Sequence, residues 1–169
     1  RAYEFPACLV GSEFVIGAST TAPRSGPALD AATMDVDGSP LGAATLAIDM
    51  PQHGSRRHSD GPPDELFFNV LNPAAARDNV LQGSGDLFAL VRLAEELAVA
   101  AGDSPTAAPI QFDPSRIALY AHSQGATHAD LMVPFESGLS AVVFSGNSGD
   151  LTLSLLNKTS PTNIKALVP

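Results

Sequence analysis

Residues 121–125, Ala-His-Ser-Gln-Gly, place a serine between two small residues at a predicted strand-to-helix junction. A serine on such a sharp turn is exposed, and its hydroxyl can attack an acyl carbonyl once a base removes the proton. Ala121 and Gly125 suit this turn because the strand and helix backbones crowd the serine on both sides. The spacing therefore indicates nucleophilic acyl chemistry at Ser123, on a turn that we call the elbow (residues 121–125).

The residues that follow Ser123 can stabilise the charge that such an attack creates. A helix beginning at Gln124 directs its first N–H groups and the positive end of its dipole toward the serine. We therefore expect the Gln124 backbone N–H to donate to the oxyanion. The alternative is that Ser123 is an ordinary turn serine in a glycine-rich loop.

The four histidines show no spacing typical of a metal site. His122 is expected to point away from the nucleophile. His128, one helical turn past the elbow, is expected to lie on the helix surface or in the packing. His53 follows a predicted strand and is expected to bond to the backbone, whereas His58 and Asp60 are expected to be solvated. The sequence predicts neither a zinc site nor a cofactor.

Strands and helices alternate around the elbow. Gln124 to Met132 has helical character that stops before Pro134, and Asn72 with Pro73 predicts the start of a helix that ends at Gly102. Apolar runs predict buried strands over 45–48 and 117–120 and a third strand over 141–144. The order strand, helix, strand, helix, strand is typical of a parallel α/β fold.

Local signals add detail to this pattern. Glycines in the segment 83–85 predict a kink or a two-piece helix, and the Asp-Pro-Ser segment 113–115 predicts a turn. The charged residues after position 76 are expected either to form a solvated helix face or, through Arg77 or Asp78, to pin the loop 55–72 across the site.

The length of 169 residues suits one domain. We expect residues 45–169 to form its core with the elbow. Short apolar patches at Leu9-Val10 and Phe14-Val15-Ile16 predict weak strands within residues 1–44.

Composition narrows the classes of partner. The chain is 44% hydrophobic and 16% charged, which excludes disorder of the whole chain. A net charge of −9 with scattered basic residues argues against a nucleic-acid partner. No apolar run approaches the roughly 18–20 residues that cross a bilayer, so we expect no transmembrane segment.

The chain resembles the serine α/β-hydrolase superfamily. Within it, residues 45–169 are similar to large bacterial extracellular or surface lipases of the Pla-1/cef and VolA type, through 46–54, 69, 76–82, 86–87 and 121–125. The resemblance implies a mostly parallel sheet flanked by helices, Ser123 as the nucleophile of ester hydrolysis, and a secreted or cell-surface location. A lipid or other small ester is then the expected substrate.

Two features of the superfamily are not evident in the sequence. Its His-Gly oxyanion loop has at most a degenerate form here, at Val10-Gly11 or Ile16-Gly17. Its triad runs serine, acid, histidine along the chain, yet no histidine follows His128, and the triad acid and histidine are not identified. Asp130 lies on the elbow helix, and Asp150 comes one strand earlier than the usual acid.

We therefore expect residues 1–169 to be an N-terminal and central portion of a hydrolase domain, completed by a C-terminal segment or a second chain. The leading hypothesis is a serine ester hydrolase, a lipase or esterase that works through an acyl-enzyme. The alternatives are a peptidase or thioesterase on the same elbow, and a non-catalytic hydrolase-like binding or structural subunit.

Overall fold

Four parallel strands and the helices between them confirm the predicted mixed α/β class. The computed structural model describes residues 9–18, 35–36, 39–40, 43–104, 107–159 and 163–166. Its strands are β1 (Leu9–Ala18), β2 (Asp35–Val36), β3 (Ser39–Pro40), β4 (Ala44–Ala47), β5 (Ala98–Val99), β6 (Ile110–His122) and β7 (Ala141–Ser145). The helices are α1 (Pro63–Phe68), α2 (Pro73–Glu96), α3 (Gln124–Met132) and α4 (Leu151–Asn157), with 3₁₀ turns at Gly54–Arg56, Val133–Phe135 and Ile164–Ala166.

The parallel part of the sheet has the order β4–β1–β6–β7. β5 pairs antiparallel with the start of β6, and β2 and β3 form a separate two-stranded sheet. At the carboxyl ends, Ala18 pairs with Ala121, and His122 pairs with Ser145. The carboxyl ends of β1, β6 and β7 therefore lie at one edge of the sheet, which is where ligands bind in open parallel sheets.

The first strand lies in the middle of the sheet. The two weak strands predicted near positions 9 and 14 form one continuous strand, Leu9–Ala18, which pairs with β4 on one side and β6 on the other. Polar residues Ser12 and Glu13 separate the two apolar patches in the sequence. Only β6 pairs with β1 across that interruption, through Ser12 with Phe112, and the pairing with β4 begins at Phe14.

The turn predicted at 113–115 is a bulge inside β6. Phe112 pairs with Ser12 and Ile117 pairs with Phe14, so residues 113–116 stand opposite a single residue of β1. Within the bulge, the Ser115 N–H donates to Asp113 Oδ1 over 2.9 Å. This local bond stabilises the turn, and the strand resumes with the buried Ile117.

Helix α2 begins where the sequence predicts and ends earlier. The Asn72 side chain accepts a hydrogen bond from the Ala75 N–H over 3.2 Å, and Pro73 is the first helical residue, as expected. The predicted end at Gly102 is wrong, because the helix ends at Glu96. Residues 98–99 leave the helical path to pair with the start of β6.

The glycines of α2 do not divide it, since residues 73–96 form one helix. Gly83 faces α3 instead, where a methyl group on it would lie 2.3 Å from Nδ1 of His128. Gly85 has no atom within 4 Å of the equivalent position. Gly83 therefore allows α2 and α3 to approach closely, which the sequence pattern alone did not indicate.

These two glycines make a matched pair of substitutions. We expect Gly83→Ala to lower the free energy of unfolding by about 1–3 kcal/mol, because the fully buried His128 ring cannot move aside. Gly85→Ala should raise it by up to about 1 kcal/mol through helix propensity. Urea unfolding of both variants tests this, and a stabilised Gly83→Ala protein would contradict the close approach.

The hydrophobic core lies between the sheet and helices α2 and α3. Its fully buried side chains come from the loop after β4, from both helices and from β6: Met50, Leu87, Val91, Ile117, Leu119 and Met132. This core fixes β6 against α3 and thereby fixes the turn between them. Within the described residues, no helix combines the length and apolar character required to cross a bilayer.

Candidate active site

Ser123 lies at the turn between β6 and α3, as predicted. Its backbone angles are φ 53° and ψ −117°, and it is the N-cap residue of α3. A non-glycine residue with positive φ carries strain of about 1–3 kcal/mol, which persists only where the surroundings hold it. The predicted position at the strand-to-helix turn is confirmed, and the catalytic role of Ser123 stays a prediction.

Hydrogen bonds from two elements hold the strained turn. The Ser123 N–H donates to the Ser145 carbonyl over 2.8 Å. The Ser123 carbonyl accepts from the N–H groups of Ala126 and Thr127 over 3.0 and 3.3 Å. Both peptide groups of the serine are thus bonded, one to the end of β7 and the other to the first turn of α3.

Small residues surround the elbow as the sequence requires. Ala121 is fully buried in the core, and Gly125 is buried in the first turn of α3. Gly146, with φ 62°, follows β7, and a methyl group there would contact the His122 ring at 3.5 Å. The loop after β7 therefore packs directly beside the elbow.

The start of α3 supplies the N–H groups expected for an oxyanion. As the first two residues of the helix, Gln124 and Gly125 have no acceptor for their N–H groups within it. Of the two degenerate oxyanion loops considered, Val10-Gly11 is wrong, because it lies at the amino end of β1, away from the elbow. Ile16-Gly17 lies at the carboxyl end, where Gly17 pairs with Tyr120.

The histidines lie mostly as the sequence predicts. His53 is buried, and its Nδ1–H donates to the Pro51 carbonyl over 3.0 Å, which confirms the backbone-bonded prediction. His58 and Asp60 are exposed, as expected. His122 Nδ1 bonds to Ser145 Oγ over 3.0 Å. None of the four histidines forms a hydrogen bond to Ser123 Oγ in the described part of the chain.

His128 is a packing residue, and the alternative of a surface position is wrong because the side chain is fully buried. Its Nδ1–H donates to the Val80 carbonyl over 3.1 Å. The Phe67 ring packs edge-on against it, with centroids 5.3 Å apart and planes at 80°. The Ser84 hydroxyl donates to the His128 carbonyl over 2.8 Å, so α2 holds both the ring and the backbone.

Burial lowers the pKa of His128 below its ordinary value of 6.5. The Val80 carbonyl and Asp86 oppose this shift, and Arg56 and His53 reinforce it. The neutral imidazole is therefore favoured in the native protein. Because a carbonyl only accepts, the neutral ring carries its hydrogen on Nδ1, and Nε2 presents a lone pair.

The lowered pKa predicts a stability that depends on pH. Below about pH 6.5 the unfolded chain protonates this histidine while the native protein does not, so the free energy of unfolding falls as pH decreases toward the native pKa. The contribution reaches at most about 1.4 kcal/mol per pH unit. His128→Asn should remove that part of the slope in urea unfolding between pH 7 and 5, and identical slopes would contradict the shift.

Asn79 and Asp86 tie the segment between β4 and α2 to the core. Asn79 Nδ2 donates to the carbonyls of Leu66 and Phe67 over 3.2 and 3.0 Å, at the end of α1. Arg56 bridges Asp86 Oδ2 at 2.6 Å and the carbonyl of Asp49 at 2.9 Å. The loop is therefore held by α2, next to the carboxyl edge of the sheet.

The prediction that Arg77 or Asp78 pins this loop is wrong. The two side chains are largely exposed and pair with each other at 2.7 Å. They lie on the solvated face of α2, so the solvated alternative holds for this pair. Asn79 and Asp86 are seven residues apart, which places them on one face of α2, and this spacing was the available signal.

Neither acid considered in the sequence contacts a histidine. Asp150 Oδ1 accepts from the Leu153 N–H over 2.9 Å and caps α4. Asp130 Oδ1 accepts from Asn147 Nδ2 over 3.0 Å, which ties α3 to the loop after β7. No group of three or more metal-ligating side chains occurs in the described ranges.

A cavity of about 430 Å³ lies on the outer side of α1. Its lining is mainly apolar and includes Leu66, Phe68 and Leu71, and Lys158 Nζ lies 4.3 Å above the centre of the Phe68 ring. Neither Ser123 nor Gln124 lines it. It is large enough for a small organic ligand and separate from the elbow.

Comparisons with protein-family models, curated proteins and solved structures found no match to this chain.

Proposed function

We propose that this chain carries the nucleophile of a serine ester hydrolase with an α/β-hydrolase fold. One observation carries the proposal: Ser123 occupies a strained turn, held from both sides, between a central parallel strand and the N-terminus of a helix. The nucleophilic serine of an α/β-hydrolase has this arrangement, in which the turn exposes the hydroxyl and the helix presents N–H groups beside it.

The strand order supports the same proposal. In the α/β-hydrolase arrangement the second oxyanion N–H comes from the loop after a neighbouring strand. β1 has that position here, since Ala18 pairs with Ala121 at the base of the elbow. The resemblance of residues 45–169 to bacterial lipases stays a prediction, and on that basis we propose a lipase or esterase as the activity.

The reaction we propose has two steps, acylation of Ser123 by the ester and hydrolysis of the acyl-enzyme by water. Ser123 Oγ attacks the acyl carbonyl and its proton passes to a histidine base, while the Gln124 N–H donates to the oxyanion. Collapse of the tetrahedral intermediate expels the alcohol, which takes the proton from the base. Water then adds to the acyl-enzyme by the same route and releases the carboxylic acid.

We place the base outside the four histidines of this chain. His53 and His128 are buried and bond to carbonyl groups, and His122 bonds to Ser145. His58, in the loop after β4, is exposed and shows no contact with Ser123. The triad acid and histidine are then supplied by a further segment or a second chain, because Asp130 and Asp150 already bond to the loop after β7 and to the start of α4.

Rates of labelling by a fluorophosphonate test this placement. Fluorophosphonates react with activated serines, and loss of the base costs several orders of magnitude in rate. We expect residues 1–169 alone to react at least about 10²-fold more slowly than the full gene product, with circular dichroism as the control for folding. Equally fast labelling of the two proteins would show that one of the four histidines is the base.

Substrate class and location follow from the proposal. We propose a lipid or other acyl ester as substrate, no cofactor, and a secreted or bacterial cell-surface location. A panel of matched p-nitrophenyl ester, thioester and anilide substrates distinguishes the esterase from the thioesterase and peptidase alternatives. Higher kcat/KM for the ester supports the proposal, and preference for the anilide or thioester would overturn it.

A second candidate function is a non-catalytic binding or structural subunit built on the same fold. The observation that favours it is the lack of any histidine bonded to Ser123 Oγ in the described residues. Such a subunit would not react with a fluorophosphonate in any assembly. Labelling of the full gene product therefore separates the two functions.

A further inference from the structure

Helix α3 carries two buried polar atoms that have no hydrogen-bond partner in the structure, Gln124 Nε2 and His128 Nε2. Gln124 is only 8% exposed, and His128 is not exposed at all. Buried polar groups are almost always satisfied by protein or by an ordered water molecule. Two such atoms on one short helix therefore call for a shared explanation.

The two residues stand one helical turn apart. Positions 124 and 128 are i and i+4, which places their side chains on the same face of α3, with Cβ atoms about 5–6 Å apart. Helical side chains lean toward the N-terminus, so His128 extends toward the turn that contains Gln124. The two atoms thus belong to adjacent turns of one buried helix face.

Their hydrogen-bonding characters are complementary. The Gln124 amide nitrogen can only donate. His128 uses its Nδ1–H for the Val80 carbonyl, so Nε2 of the neutral ring can only accept. A molecule that both accepts and donates at a single oxygen satisfies the two atoms together, and buried water commonly takes this role.

We propose that Gln124 and His128 hold one internal water molecule beneath the elbow. Its oxygen accepts a hydrogen bond from Gln124 Nε2–H, and one of its hydrogens is donated to His128 Nε2. Water suits these two atoms because its oxygen can accept from one and donate to the other, which neither a metal cation nor a simple anion can do.

The water gives the Gln124 side chain a positioning role, a consequence that rests on the proposed function. Gln124 supplies the backbone N–H proposed for the oxyanion, and it is the first residue of α3. Through the water its side chain is tied to His128, which α2 and Phe67 hold in place. Two contacts therefore hold the elbow: the Ser145 carbonyl bonds to Ser123, and the proposed water links Gln124 to His128.

A high-resolution crystal structure of the full gene product tests the site directly. We expect an ordered water oxygen about 2.7–3.2 Å from both Nε2 atoms. Nitrogen-15 spectra of the His128 ring should show the hydrogen on Nδ1 and a hydrogen-bonded, unprotonated Nε2. A direct bond between Gln124 and His128, or a water that contacts only one of them, would overturn the proposal.

Gln124→Met gives the functional test, because methionine matches the length of glutamine and lacks its amide. We expect loss of the water, a shifted His128 Nε2 resonance, and a roughly fivefold lower kcat with unchanged KM. Gln82→Met is the matched control, because the Gln82 amide lies on the exposed face of α2 and bonds to Asp86. This variant should leave the water, the His128 resonance and kcat unchanged.

The outcomes separate this inference from the proposed function. If the wild-type protein has no turnover that depends on Ser123, the proposed function fails. The crystal structure and the His128 Nε2 resonance still show whether the water is bound. If turnover is present and Gln124→Met leaves the water and the Nε2 resonance unchanged, the water site itself is overturned. An unchanged kcat with the water lost overturns the positioning role alone.

Discussion

Ser123→Ala is expected to lower kcat/KM for a p-nitrophenyl ester by at least about 10³-fold in the full gene product. The substitution removes the attacking oxygen and little volume, so the free energy of unfolding should change by no more than about 0.5 kcal/mol. Steady-state kinetics and urea unfolding of the same preparation measure both quantities. Stability and activity should therefore separate clearly in this variant.

Two matched variants serve as controls for Ser123→Ala. Ser115→Ala removes a serine hydroxyl from the exposed bulge of β6, and His53→Ala removes a histidine whose Nδ1–H is bonded to the Pro51 carbonyl. Both should retain most of the turnover. Full activity of Ser123→Ala beside active controls would show that another residue attacks the ester.

Phe67→Ala should cost about 3–5 kcal/mol in the free energy of unfolding. The Phe67 side chain is 1% exposed, and its ring contacts those of Phe68 and His128 at centroid distances of 5.1 and 5.3 Å. It is the buried residue of α1, so its removal leaves a cavity beside His128 and detaches the short helix from the core.

Phe135→Ala is the control for this substitution, because Phe135 is 80% exposed. It removes the same atoms from a solvated position and should change the free energy of unfolding by no more than about 0.5 kcal/mol. Urea unfolding followed by circular dichroism measures both variants. A loss below about 1 kcal/mol for Phe67→Ala would mean that α1 is not anchored by this ring.

Helices could be predicted from the sequence where two independent features of the sequence agreed. Helix α3 was predicted from its apolar spacing together with Pro134 beyond its end, and it spans Gln124–Met132 as expected. The start of α2 was predicted from an Asn-Pro cap. Its end was not, because pairing of residues 98–99 with β6 is a long-range contact that local spacing does not encode.

The elbow was predicted for the same reason, since a small residue on each side of Ser123 agreed with a strand before it and a helix after it. What braces the elbow was not predicted. Three contacts depend on which elements become neighbours. These are the Ser145 carbonyl with Ser123, the close approach of Gly83 to His128, and the hydrogen bond from Asn79 to the end of α1. Such contacts arise only from the order β4–β1–β6–β7 and its helices.

Mapping a covalent adduct tests the central claim most directly. The full gene product is incubated with a fluorophosphonate and digested, and the modified peptide is sequenced by mass spectrometry beside the Ser123→Ala variant. The account predicts a single phosphonylated serine, Ser123, and no adduct in the variant. An adduct on a different serine, or an unmodified Ser123 in an assembly that hydrolyses esters, would contradict it.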